Sequence, residues 1–169
     1  MVELPQPLAV TLREALPVLD RECHAPWWLI GSSALACWGM PGIVCRDVDV
    51  LVDGVDASRL ETVWAARRDG QFRPDHDELF RSRFARYGGW PMALETMGDL
   101  VLCVDGEWRP VRPADRLRVE TAAGPVCVPS LPALLEILDD FGRDKDRDKA
   151  ARVRAWLAAS PELPLAKPA

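Results

Sequence analysis

Between residues 47 and 54 the chain reads Asp47-Val48-Asp49-Val50-Leu51-Val52-Asp53-Gly54, acidic and β-branched residues in alternation, closed by a turn signal. Alternation at period two is the pattern of a strand. It puts Asp47 and Asp49 on one face and sends Val48 and Val50 into a core. Upstream, the apolar run Trp27-Trp28-Leu29-Ile30 halts at Gly31, as a short buried strand does. Ser32 and Ser33 are suited to cap the helix that Ala34-Leu35-Ala36-Cys37-Trp38 begins, and Met40-Pro41-Gly42 breaks it. Strand, glycine, helix, loop and strand constrain the centre of the chain to an arrangement in which two carboxylates project from a sheet.

The flanking segments supply the remaining layers. Leu8, Leu12, Ala15, Leu16 and Leu19 recur at helical spacing, which predicts a helix from Gln6 to Cys23, interrupted in pattern by Pro17. Residues 56–68 predict an amphipathic helix with Leu60, Val63 and Trp64 on one side and arginines at its carboxyl end. Arg83–Tyr87 and Met92–Thr96 flank Gly88-Gly89 as the arms of a hairpin, with a further strand from Asp99 to Val104. A second hairpin, an edge element, is expected from Arg116 to Val128 around Ala123-Gly124-Pro125. From Ser130 the spacing of Leu131, Leu134, Leu135, Leu138 and Phe141 is helical. A last helix from Asp144 to Ala159 carries the stripe Ala150, Val153, Trp156 and Leu157. The expected organisation is a core domain over 1–128, a helical carboxyl-terminal part over 129–160 and a frayed, proline-rich tail over 161–169.

Composition bounds the function. A chain of 169 residues with 49% hydrophobic and 28% charged residues suits one globular domain and one active site. No apolar run reaches the roughly 18 to 20 residues that span a bilayer. The opening Met-Val-Glu-Leu-Pro lacks a basic start and apolar core, so a cytoplasmic protein is expected. The five cysteines form no C-x-x-C pair and are expected as buried thiols. With His24 and His76 as the two histidines, a zinc site has little to be built from. A net charge of -5 argues against a broad grip on nucleic acid, so phosphates have to be held locally.

Two carboxylates projecting side by side repel each other, and a hard divalent cation such as magnesium is the usual relief. The same D-x-D pattern also suits the solvent face of a half-exposed strand. Gly31-Ser32 adds a second constraint: a small pair at a strand-to-helix junction lets backbone amides approach a phosphate. An ordinary capped glycine turn has the same letters. Together they supply what holding a triphosphate beside metal ions requires.

In these residues the chain resembles the nucleotidyltransferase superfamily related to DNA polymerase beta. That pattern is Gly-Gly or Gly-Ser, a spacer, then acidic-hydrophobic-acidic-hydrophobic. Here it reads Gly31-Ser32, fourteen residues, and Asp47-Val48-Asp49-Val50. The spacer is similar to that of aminoglycoside and lincosamide nucleotidyltransferases and of AbiEii-type toxins. The resemblance implies an α/β (α+β) fold, with a mixed, largely antiparallel sheet flanked by helices and a small helical carboxyl-terminal part. It implies magnesium-dependent transfer of a nucleoside monophosphate from a nucleoside triphosphate to an acceptor hydroxyl, with pyrophosphate released. The acceptor, whether a small molecule, a transfer RNA or a protein, is left open. A non-catalytic nucleotide-binding module, such as a toxin-antitoxin component, is the alternative.

The resemblance also implies a third carboxylate on a neighbouring strand. Glu95 is the expected residue, followed by Asp99. Asp47, Asp49 and Glu95 would then hold two magnesium ions, and Gly31 and Ser32 amides the leaving phosphates. Arg143-Asp144-Lys145-Asp146 is similar to an Arg-x-Lys-Asp segment of the toxin-like branch, which makes Lys145, assisted by Arg143, a candidate phosphate contact. A solvated helix start reads the same way. Arg81, Arg83, Arg86 and Trp90 crowd the hairpin beside Glu95 as a possible acceptor platform.

Overall fold

The computed structural model describes residues 1–75 and 78–160, and the backbone of 167–168. Helix α1, Gln6–Glu22, buries the face marked by Leu8, Leu12, Ala15, Leu16 and Leu19, and it carries Pro17 without breaking. The short strand β1, Trp28–Ile30, leads directly into helix α2, Gly31–Cys37. Neither serine caps α2. Ile30 holds the cap position, and the Ser33 hydroxyl donates back to the Ile30 carbonyl at 2.9 Å. The backbone turns into the helix one residue after the strand, too early for Ser32 or Ser33 to stand outside it.

Strand β2, Asp47–Val52, ends at Asp53, whose carboxylate accepts from the Asp56 amide and caps helix α3, Gly54–Val63. The cap moves this helix two residues earlier than expected. The segment then tightens at Trp64 into a 3-10 turn, Ala65–Arg67, so Val63 falls on the exposed side while Leu60 and Trp64 are buried. Strands β3, Phe80–Tyr87, and β4, Ala93–Val104, form the hairpin. The two strands expected in 92–104 are one twelve-residue strand, with a register irregularity opposite it between Arg81 and Arg83. Asp105-Gly106 then turns the chain into β5, Glu107–Pro110, both turn residues having positive φ (51° and 81°), as a tight two-residue hairpin requires.

The main sheet has the order β1-β2-β4-β3, with β5 against the distal half of β4. Pairing of β2 with β4 is parallel and the rest antiparallel, so the sheet is mixed and largely antiparallel. The hairpin of β6, Leu117–Thr121, and β7, Gly124–Val128, forms a separate small sheet, joined through β6 by the backbone of β8, Lys167–Pro168. The rest of the expected tail over 161–169 lies outside the described residues. Helix α4, Leu131–Phe141, is capped by the Ser130 hydroxyl and ended by Gly142 in the left-handed region. Helix α5, Asp144–Ala159, follows at once and packs on α4.

One face of the sheet buries Val48, Val50 and Leu94 in a large core with α1, α2 and Trp64. The other face carries a smaller core of Ile30, Leu51, Met97 and Leu100, covered by Ile137 of α4. Asp47 and Asp49 share that second face with Leu51, because i and i+2 on a strand point the same way. The five cysteines are free thiols; Cys37 and Cys127 are buried and the other three half-buried. Among the described residues no helix is long and apolar enough to cross a membrane.

Candidate active site

Strand register builds the site. Ile30 on β1 lies opposite Asp49, Asp49 opposite Glu95 on β4, and Glu95 opposite Arg86 on β3. Ile30, Asp49, Glu95 and Arg86 therefore form one row across four strands, with Asp47 two residues along β2 on the same face. All of them line a cavity of about 330 Å³ whose far wall is α4 and the start of α5.

The carboxylates there are poorly matched by positive charge. Burial, followed by the charges of Asp47 and Glu95, pushes Asp49 up to about 7, against a partial opposing pull from Lys149 and Lys145. Glu95 is also raised, by burial first and Asp47 second, although Arg86 pulls it the other way. Arg86 donates to Glu95 from across the strand, stands 4.0 Å from Asp47 and lies over the Phe72 ring at 4.4 Å.

Gly31 has a structural reason to lack a side chain. Its φ is +62°, and a Cβ there would stand 2.6 Å from Asp49 Oδ2. The glycine thus seats the carboxylate as well as lining the cavity. Ser32 is buried, and its carbonyl accepts from the Cys45 thiol at 3.3 Å.

Lys145 and Arg143 both line the cavity from the start of α5. Arg143 is held by Asp146 at 2.5 and 3.2 Å and sits over the Phe141 ring at 4.6 Å, so its charge is already partnered. Lys149 stands one helical turn after Lys145 and also lines the cavity. Sequence reasoning passed over it, although the i, i+4 spacing of Lys145 and Lys149 was there to be read. The alternative third acid, Asp99, is elsewhere: it is exposed, has φ +50° and lies beside Gly54 at a second cavity with Asp53.

The basic hairpin does not form the single platform expected of it. Arg83 binds Glu61 at 2.8 and 3.1 Å, Arg81 lies over Trp108, and Trp90 donates to Glu14 under the Arg67 guanidinium. Only Arg86 of the four turns into the carboxylate cavity. Alternation sends neighbours to opposite faces, and the irregularity between Arg81 and Arg83 separates the rest.

An all-oxygen donor set on one sheet face, with Asp49 raised first by burial and then by its acidic neighbours, fits a hard divalent cation such as magnesium. Among the described residues no three such side chains converge into a closed cage, and Glu95 is engaged by Arg86. Asp47, Asp49 and Glu95 are the residues that would hold the ion.

No family model and no curated protein matches the sequence. Solved structures do match. A Thermotoga maritima protein described as a candidate nucleotidyltransferase is 25% identical, with a TM-score of 0.63 over 86% of this chain and 94% of that one. The lincosamide antibiotic adenylyltransferase LnuA, solved with lincomycin bound, is 10% identical at a TM-score of 0.57, covering 89% of this chain and 97% of its own. ANT(2'')-Ia, solved in complex with adenylyl-2''-tobramycin, is 16% identical at 0.54, covering 89% and 90%.

Proposed function

We propose that this chain, whose fold is that of the nucleotidyltransferase superfamily, transfers a nucleoside monophosphate from a nucleoside triphosphate to an acceptor hydroxyl. The observation that carries this reading is the row of Asp49 and Glu95 across β2 and β4, with Asp47 beside it and Lys145 and Lys149 facing it across one cavity. Acids that repel on one wall and lysines on the other suit a metal-bound triphosphate.

In the reaction the acceptor oxygen bonds to the α-phosphorus while the bond from that phosphorus to the pyrophosphate oxygen breaks. The hydroxyl proton has to leave at the same time. Asp47 and Asp49 would hold two magnesium ions, and Glu95 would share the one nearer the acceptor. Bound there, magnesium would neutralise the triphosphate and acidify the hydroxyl. Glu95, once Arg86 releases it, would take the proton. Lys145, Lys149 and the backbone near Gly31 and Ser32 would receive the departing pyrophosphate charge. Arg143, tied to Asp146, would orient the start of α5.

Replacing Asp49 with Asn should cut metal-dependent pyrophosphate release by at least about 10² to 10³ fold while the fold is kept. Normal turnover in that variant contradicts the reading. The engagement of Glu95 by Arg86 also suits a regulatory module that binds nucleotide without chemistry. Such a module would bind triphosphate yet release no pyrophosphate with any acceptor.

A further inference from the structure

The chain has four phenylalanines, and all four, Phe72, Phe80, Phe84 and Phe141, line the cavity that holds the carboxylates. Phenylalanine is among the residues most often fully buried. Here none of the four is; each is half-buried, with part of its ring left open. They come from a loop, a strand and a helix that meet only at this cavity.

Register explains the apolar half. One step along from the row of Arg86, Glu95, Asp49 and Ile30 lies the row Phe84, Met97, Leu51 and Trp28, paired strand to strand in the same order. A polar row and an apolar row thus run side by side across the sheet face, and Phe80 and Phe141 continue the apolar one at 5.6 Å from each other. A molecule whose hydroxyl reaches the carboxylates has its body against the Phe84 and Met97 end of this second row, Leu51 and Trp28 lining the neighbouring cavity instead.

Three features limit what that body is. The Phe80–Phe141 pair meets at 71° and the Phe72–Phe84 pair at 33°, which makes a cup rather than a parallel slot for a flat ring. Arg86 and Arg143 already cover the faces of Phe72 and Phe141, at 4.4 and 4.6 Å, and the one N–H donor of the apolar row, the Trp28 indole, is spent on the Asp115 carbonyl. Among the described residues the cavity's charges nearly balance. Arg86 pairs with Glu95 and Arg143 with Asp146, leaving Lys145 and Lys149 against Asp47, Asp49 and Asp75, so the lining offers little net field to draw in a polycation.

We propose that the acceptor is an uncharged or weakly charged hydroxyl compound with a bulky apolar body, seated in the phenylalanine cup. The proposal rests on nucleotidyl transfer at this site and names the substrate class for it. Apolar bodies gain affinity there in proportion to the surface they bury.

The test is calorimetric binding of methyl, butyl and hexyl β-D-glucopyranosides and of tobramycin, each to the nucleotide-free protein. A separate arm measures thermal stabilisation by each of the four ribonucleoside triphosphates with magnesium. Affinity should rise roughly twofold to fourfold per methylene from methyl to hexyl, with tobramycin weakest. Phe84→Ala and Phe72→Ala should each remove most of that gain, Phe84→Leu should retain it, and stabilisation by triphosphate should be unchanged in all three. No dependence on chain length, or tighter binding of tobramycin, overturns the proposal. So does a loss of triphosphate stabilisation in the two alanine variants with hexyl glucoside binding intact, since the cup would then hold the base. If no triphosphate stabilises the protein while the glucosides still bind as expected, nucleotidyl transfer fails and the cup remains a site for such compounds.

Discussion

Asp56 and Asp49 are the same residue type seven positions apart, and the protein treats them in opposite ways. Asp56 is almost wholly excluded from solvent, yet its carboxyl is held below the ordinary value. Burial pushes it up, but the amides of Ala25 and His24 and the Arg59 guanidinium outweigh that push. Asp49 is half-buried in the cavity beside two other acids, has its lysines on the far wall, and is driven up to about 7. A buried carboxylate that is fully hydrogen-bonded ties the α1–β1 connection to α3. One left beside like charges is a standing cost that a ligand can relieve. The contrast separates a carboxylate that serves the fold from one that, on the proposed function, serves chemistry.

The largest expected effect tests that separation directly. Asp49→Asn should lose pyrophosphate release almost completely and keep the far-ultraviolet circular dichroism of the parent, whereas Asp56→Asn should keep turnover at temperatures where it is folded. If Asp56→Asn removed turnover in folded protein, the distinction would collapse.

Stability should move the other way round. Asp56→Ala leaves two amides and Arg59 without their acceptor and should cost about 2 to 4 kcal/mol, read as the shift of a urea unfolding midpoint. Asp49→Asn, measured without metal at pH 8, should instead stabilise by about 1 to 3 kcal/mol, because it removes a carboxylate that burial and its neighbours disfavour.

The pH profile sharpens this further. A carboxyl raised to about 7 keeps its proton in the folded state after the unfolded chain has lost it, so stability falls as pH rises from about 4 to 7 and then levels. Asp56 has the opposite sign: its contribution is present above the unfolded value near 4 and is lost as pH falls through its lowered folded value. Unfolding free energies from pH 3 to 8 should therefore show a neutral-side decline that Asp49→Asn flattens and Asp56→Asn does not. Identical profiles for the two variants would contradict the assignment of causes.

The smallest of these effects concerns Gly31. Gly31→Ala places a Cβ at positive φ against the Asp49 carboxylate, and should cost about 1 to 2 kcal/mol together with a larger proportional loss of turnover. Unchanged turnover would mean that Asp49 tolerates displacement.

The order of elements was legible, and period-two alternation puts Asp47 and Asp49 on one face whatever the strand's neighbours are; that Glu95 joins them depends on the parallel register of β4 on β2, which the resemblance alone implied. Caps and breaks inside a segment were less so. Asp53 moved the start of α3 through one side-chain bond, and Trp64 ended it by packing, neither of which a periodicity count sees. The Asp105-Gly106 hairpin was signalled by its dipeptide and passed over. Partners at long range were not legible at all: that Arg83 would bind Glu61 while Arg86 entered the cavity depends on how β3 sits against α3 and β4. The phenylalanine cup likewise exists only where a loop, a strand and a helix meet.

The central claim is that the carboxylate row is a cost relieved by metal and triphosphate together. Thermal unfolding of the parent and of Asp49→Asn, with each ribonucleoside triphosphate in the presence and absence of magnesium, tests it most directly. The account predicts that at least one triphosphate raises the parent's midpoint only with magnesium, and that Asp49→Asn loses this rise while starting from a higher midpoint. Equal stabilisation without metal, or an undiminished rise in Asp49→Asn, would contradict it.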